Sequence, residues 1–350
     1  MAETANNKQH IYAYDVLRIL SAFMVVVIHT TTKSFQELPL LSGSWTAVMT
    51  TSALAHAFVP IFVMISGALF LSPDRKIDTA SLWKHNILRM AIVLFVWSFA
   101  YGLYDFLQYK ASLKFLVWET LDGRNHLWFL RMLIGIYVIL PILAVWVRNA
   151  SAKSIQYFLV LFFAFEICAE TLIAFSTHEV VQYALNVRNF PLVCSYAGFF
   201  LLGYYLIHVG LSAKAEKVFG VLTLLSLPLS ALMSYIASSK RGIPYLEASN
   251  SFCLPTFFLS AGLFYFIFRF CNKKTPKAGT HKILKGLGAD TLGIYLIHIG
   301  VMEQLARFDI NWTKPGLFIG LLGYTLVVFL ISLGISALLR RIPLIGKYIC

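Results

Sequence analysis

The chain has 350 residues, of which 59% are hydrophobic and only 13% charged, with a mean hydropathy of +0.74. Soluble domains carry roughly a quarter charged residues, so a water-solvated globule is excluded, and a single membrane domain over 1–350 uses the whole length. The net charge of +13 does not imply a nucleic-acid partner. The basic residues sit in short connections between apolar runs, as in the cytoplasmic loops of inner-membrane proteins.

A membrane span needs about 20 mainly apolar residues. Residues 1–10 are polar, and the first apolar stretch, 11–31, leads into further spans, so it reads as a signal anchor rather than a cleaved leader. The second stretch, 47–71, contains His56 one turn before Pro60, where a bent helix offers the ring a carbonyl. After the third, 85–106, the connection 107–125 mixes Phe115, Leu116 and Trp118 with charges and suits the membrane interface. Spans at 127–147 and 155–175 follow, the latter with Glu166 and Glu170 on one face at i, i+4. A short polar break separates 190–209 from 218–237. The last three stretches are 251–271, 288–308 and 316–338, and in 288–308 Thr291, Tyr295 and His298 share a face. The predicted fold is all-α, a polytopic transmembrane bundle of about ten helices. Alternate connections differ in Lys plus Arg by about two to one, which places both termini in the cytoplasm.

Ionisable residues inside a bilayer are costly and usually face a bundle interior or a watery cavity. In YDVLRILSAFMVVVIHT (14–30), Arg18 and His29 are eleven residues apart. They therefore fall within about 20° of one another on a helix, about 16 Å apart along its axis. Asp15, Ala22 and Val25 lie on the same stripe. Taken singly, Arg18 reads equally well as a residue snorkelling to the interface; the pair on one face favours a polar channel.

The same two residues fit the R-x10-H pattern of the first helix of the acyltransferase-3 family of membrane acyltransferases. VPIFVMISGALF (59–70) resembles that family's second-helix F-x-x-SG segment, and Arg89 stands where the family often has a basic residue at the start of its third helix. HLWFLRMLIGIYVILP (126–141) resembles the H-x-W…Y…P helix, with His126 and Trp128 in the named positions. LGADTLGIYLIH (287–298) resembles the late S/T-L-G-I-Y-x-x-H helix, which ends on Tyr295 and His298. Each landmark is weak alone; five in family order make a specific signal. The short form, without a fused outer domain, looks most like the branch containing the O-acetyltransferase of enterobacterial common antigen. The sequence departs from the family's branch with fused outer domains, which often has an acid pair in the fourth helix. Leu133 and Ile134 stand in those places here, leaving Asp15, or Glu166 with Glu170, as candidate replacements.

The resemblance implies transfer of an acyl group, commonly acetyl, from cytoplasmic acetyl-CoA to a hydroxyl of an envelope saccharide across a bacterial inner membrane. His29 is then the general base or the acyl carrier, since an imidazole exchanges protons near neutral pH. Arg18 holds a phosphate or carbonyl oxygen of the donor. Arg75, Lys76, Lys84 and Arg89 would bind CoA phosphates, although clustered inner-side charge is also what topology demands. His126, Trp128, Tyr295, His298, Glu166 and Glu170 are candidates for the acceptor side. No metal-ligand spacing is seen, and Cys168, Cys194, Cys253, Cys271 and Cys350 form no C-x-x-C pair. The competing class is a secondary transporter of an organic anion, which also uses intramembrane Arg, His and Glu. Against it stands the lack of an inverted repeat in the sequence.

Overall fold

The computed structural model describes residues 11–346 apart from 36, 111, 177–179, 181–182, 184–190, 246–248, 274–275, 311–316 and 344–345. Among the described residues there is no strand. Helices α1 (Tyr12–Phe35), α2 (Gly43–His56), α3 (Val59–Phe70) and α4 (Leu88–Tyr109) build the first part. A short α5 (Leu113–Asp122), α6 (Trp128–Asn149), α7 (Ala152–Phe162) and α8 (Ala169–Phe175) follow. The chain continues through α9 (Pro191–Tyr204), α10 (Ala213–Arg241), α11 (Leu254–Asn272), α12 (Ala278–Arg307) and α13 (Leu317–Arg341).

Local chemistry sets these boundaries. Ser42, Asp78, Ser112, Ser151 and Ser212 each accept a backbone N–H three residues on, closing helix starts that would otherwise leave donors unsatisfied. Gly242, at φ 68°, ends α10 by donating its N–H to the Ser238 carbonyl. Hydroxyls inside the bundle turn back on their own helices: Thr30, Thr31, Thr32 and Ser34 donate to carbonyls three or four residues earlier in α1. In a bilayer, where water cannot satisfy a polar group, that is the available partner.

Eight helical stretches among the described residues are long and apolar enough to cross a membrane. They correspond to eight of the ten sequence-predicted spans. The other two differ for identifiable reasons. Only 195–209 of the predicted 190–209 forms a described apolar helix, kinked at Ser195, and residue 190 lies outside the described part. The predicted 288–308 falls on α12, which starts ten residues earlier, ends at Arg307 and is less apolar because Asp290, His298 and Glu303 fall within it. Residues 47–71 are two helices, since the chain turns at Ala57 and Phe58 between α2 and α3. In the connection 107–125, α5 packs back on α4 and leaves Leu113, Val117, Trp118 and Leu121 exposed.

Helix α1 is the hub, packed against α2, α3, α11, α12 and α13. The closest seam joins α3 to α9. A Cβ on Gly67 would collide with the backbone of Phe200, and one on Gly203 with the backbone of Met64. Such small-residue contacts let membrane helices gain dispersion energy where the hydrophobic effect gives no preference for helix over lipid. Ionic contacts also tie helices together. Asp290 meets Arg340 at 2.9 Å. Arg124 meets both Asp105 at 2.8 Å and Glu303 at 3.1 Å, and Arg131 pairs with Asp122 at 3.7 Å.

Candidate active site

A cavity of about 690 Å³ runs through the bundle interior. One end holds Arg18 of α1, Ser66 of α3, Tyr137 of α6 and Thr291 of α12. The other holds His29, His126, Trp128, Tyr196, Asn250, Ser251 and Phe252. Arg18 and His29 thus open into one space from one helix face, about 16 Å apart along α1.

At the Arg18 end, the guanidinium lies 3.4 Å from Asp15. Asp15 does not line the cavity; it is buried beneath Arg18 and packed against Gly288 of α12. Its position suits orienting Arg18 rather than touching a bound molecule. Arg75 and Arg89 are half-buried and do not line the cavity. Arg75 sits over the Phe70 ring at 3.8 Å, and the Phe70 ring meets Tyr137 at a tilt, 4.9 Å between centres. Lys76 and Lys84 are exposed and do not line the cavity.

The other end is built on imidazoles. His29 lies 5.0 Å from His298 and 6.4 Å from His126, ring centre to ring centre, and the last two are 5.5 Å apart. His298 is 0% and His126 4% exposed. The Nε2 atoms of both have no hydrogen-bond partner among the described residues. Tyr295 donates its hydroxyl to the His126 carbonyl, locking the start of α6 to α12. The Tyr101 hydroxyl donates to the Leu296 carbonyl at 2.8 Å and accepts the Gly300 N–H at 3.1 Å. In an unbroken α-helix those two backbone groups pair with each other, so Tyr101 is inserted into the α12 ladder on either side of His298.

The predicted line Thr291–Tyr295–His298 therefore forms one wall, with Thr291 and Tyr295 on the cavity and His298 against His29. Glu166 and Glu170 do not line it. Glu166 falls in the wider turn Phe163–Cys168, whose i→i+5 bonding breaks the simple i, i+4 alignment with Glu170. His56 lines the cavity, and its Nδ1 pairs with the Ser52 carbonyl at 2.8 Å, one turn back, rather than with a carbonyl released by Pro60. Leu133, at the place of the absent acid, faces the cavity. Among the described lining residues there is no carboxylate.

Sequence reasoning missed Tyr196, Asn250, Ser251 and Phe252. Trp128 packs on Tyr196 at a tilt, 5.5 Å between ring centres, and Tyr196 meets Phe252 edge to face at 4.8 Å. The polar trio Ser249-Asn250-Ser251 just before the apolar run of α11 was the one available signal.

A helical bundle of apolar helices with an interior cavity, lined by Arg18 at one end and beside clustered imidazoles at the other, is a multi-pass membrane protein with ionisable groups in its interior. The family described as Acyltransferase domain matches residues 11–341. The chain belongs to this acyltransferase-3 family, and it is a multi-pass membrane acyltransferase. No curated protein and no solved structure matches the chain.

Proposed function

We propose that the protein is an O-acetyltransferase of the bacterial inner membrane, with both termini in the cytoplasm. It takes the acetyl group of cytoplasmic acetyl-CoA and delivers it to a hydroxyl of an envelope saccharide at the outer face. The observation that supports this reading is the single cavity joining Arg18 to the histidine cluster. Donor phosphates would rest on Arg18 at the cavity end and on Arg75 and Arg89 outside it, through charge-assisted bonds. Lys76 and Lys84, exposed just outside, would add attraction without direct contact. The pantetheine arm would then carry the thioester toward His29. The acceptor would enter past Trp128, whose indole face suits the apolar side of a sugar ring.

In this reaction His29 takes the proton of the acceptor hydroxyl as its oxygen bonds to the acyl carbon. The carbon–sulfur bond breaks, and the thiolate leaves with that proton. Substrates and products balance as thioester plus alcohol to ester plus thiol.

The test is His29→Ala beside His29→Gln. General-base loss costs about 10²–10⁴ in rate, so both variants should insert and fold yet lose transfer to that extent. Mass spectrometry of envelope glycans should show one acyl group gained only with the unaltered protein. Substantial transfer by folded His29→Gln would exclude acid–base and covalent chemistry at this residue.

A further inference from the structure

We infer that His298 is a positioning residue for His29, filling with a neutral imidazole the place that a carboxylate takes in a hydrolase triad. This rests on the reading of His29 as the proton-transferring group, and it adds a partner to it. His298 Nδ1 lies 3.2 Å from the Ile294 carbonyl of its own helix. A carbonyl only accepts, so Nδ1 carries the hydrogen and Nε2 is left with a lone pair. That Nε2 is fully buried and has no donor among the described residues.

A buried acceptor without a donor is costly and rare in native proteins, and it calls for a reason. The rings packed around it are His29, His126 and Tyr295, at 5.0, 5.5 and 6.2 Å. The Tyr295 hydroxyl is committed to the His126 carbonyl. His126 Nε2 has no partner among the described residues, and its ring lies farther from His298 than that of His29, at 5.5 against 5.0 Å. The donor left to supply is the N–H of His29. Two imidazoles joined by an ordinary N–H···N bond have centres about 5 Å apart, so a small ring rotation closes the bond from the observed separation. The other His29 nitrogen is then an unprotonated base open to the cavity that His29 lines.

The arrangement also accounts for the missing acid. With Leu133 on the cavity and no carboxylate among its described lining residues, nothing anionic is there to orient His29. His298 sets the tautomer and direction of the ring without placing a second charge in a low-dielectric site. Tyr101, bridging Leu296 and Gly300, fixes the turn of α12 that carries it. His298 exchanges no atoms with the substrates.

The experiment compares His298→Leu, which removes the acceptor at similar volume, with His298→Gln, which keeps an acceptor at the same reach. Transfer is read as thiol release from acetyl-CoA with acceptor present, alongside melting temperature in detergent. For His298→Leu we expect kcat to fall about 10²-fold, less than the roughly 10⁴-fold seen when a triad carboxylate is neutralised. KM for acetyl-CoA should stay within about twofold, and the melting temperature should fall modestly, because the His29 N–H loses its acceptor. His298→Gln should recover to within about tenfold of the unaltered rate. Nitrogen NMR of histidine-labelled unaltered protein should show a single His29 tautomer, an outcome independent of how any variant folds. Unchanged kcat in His298→Leu, equal losses in both variants, or mixed tautomers at His29 would overturn the inference. If His29→Gln is dead while His298→Leu is fully active, this inference alone fails; if His29→Gln transfers normally, the reading beneath it fails.

Discussion

A methyl group added at Gly67 tests how tightly the site depends on the α3–α9 seam. In Gly67→Ala the new Cβ meets the Phe200 backbone. A flexible side chain would swing aside, but a helix backbone can only retreat with its whole element. Parting the seam by about 1 Å forfeits a quarter to a half of the attraction at each contact. Lipid fills the gap without the hydrophobic gain that water exclusion gives a soluble protein. Overpacking costs about 1–3 kcal/mol, and collision with backbone puts this case near about 2–3. Replacing a helical glycine by alanine returns about 0.5–1 kcal/mol. The net expectation is a loss of about 1–2.5 kcal/mol, read as a lower melting temperature in detergent. Because Ile65 and Ser66 line the cavity beside Gly67, the same shift moves its wall, and misplacement by 1 Å can cost up to about 10²-fold in rate. Transfer should therefore fall by at least about tenfold. A Gly67→Ala protein with unchanged melting temperature and rate would refute the reasoning.

Arg124→Leu strands Asp105 and Glu303 beside each other. Fully buried pairs broken this way lose about 3–5 kcal/mol, but the Arg124 side chain is 23% exposed, so the expected loss is about 1–3 kcal/mol. Adding Asp105→Asn should restore part of it, and denaturation that shows no recovery would assign the cost to packing. Reporter tags at both ends of the chain should respond as cytoplasmic, and an external C-terminus would show that the proposed count of ten crossings is wrong.

The parts of the site legible in the sequence lie on single helices. Arg18 and His29 share a face because eleven residues make nearly three turns, and Thr291, Tyr295 and His298 align for the same reason. Periodicity within an element fixes such relations before any packing is known. The opposite wall needed helices far apart in the chain. Tyr196 follows a kink at Ser195, and Asn250 and Ser251 lie in the approach to α11. No spacing rule relates those positions to Trp128. His56 was legible as a polar residue near a helix break, but its carbonyl partner was misplaced, because the side chain turns back on its own helix. Glu166 and Glu170 show the converse error. The i, i+4 rule assumes regular α geometry, and the wider turn Phe163–Cys168 is invisible to it. The predicted span 288–308 falls on α12, which Asp290, His298 and Glu303 keep outside the set of eight long apolar helices.

The α3–α9 seam also has a consequence in time. Gly67 and Gly203 lie 136 residues apart in the chain. At about 5–20 residues per second of synthesis, α3 waits roughly 7–27 s for the helix that closes over it. Through that interval the Ser66–Gly67 surface lies open to lipid or to whatever insertion machinery shelters it. The early helices must hold together on α1 alone, and the cavity acquires its full wall only when the second half of the chain arrives.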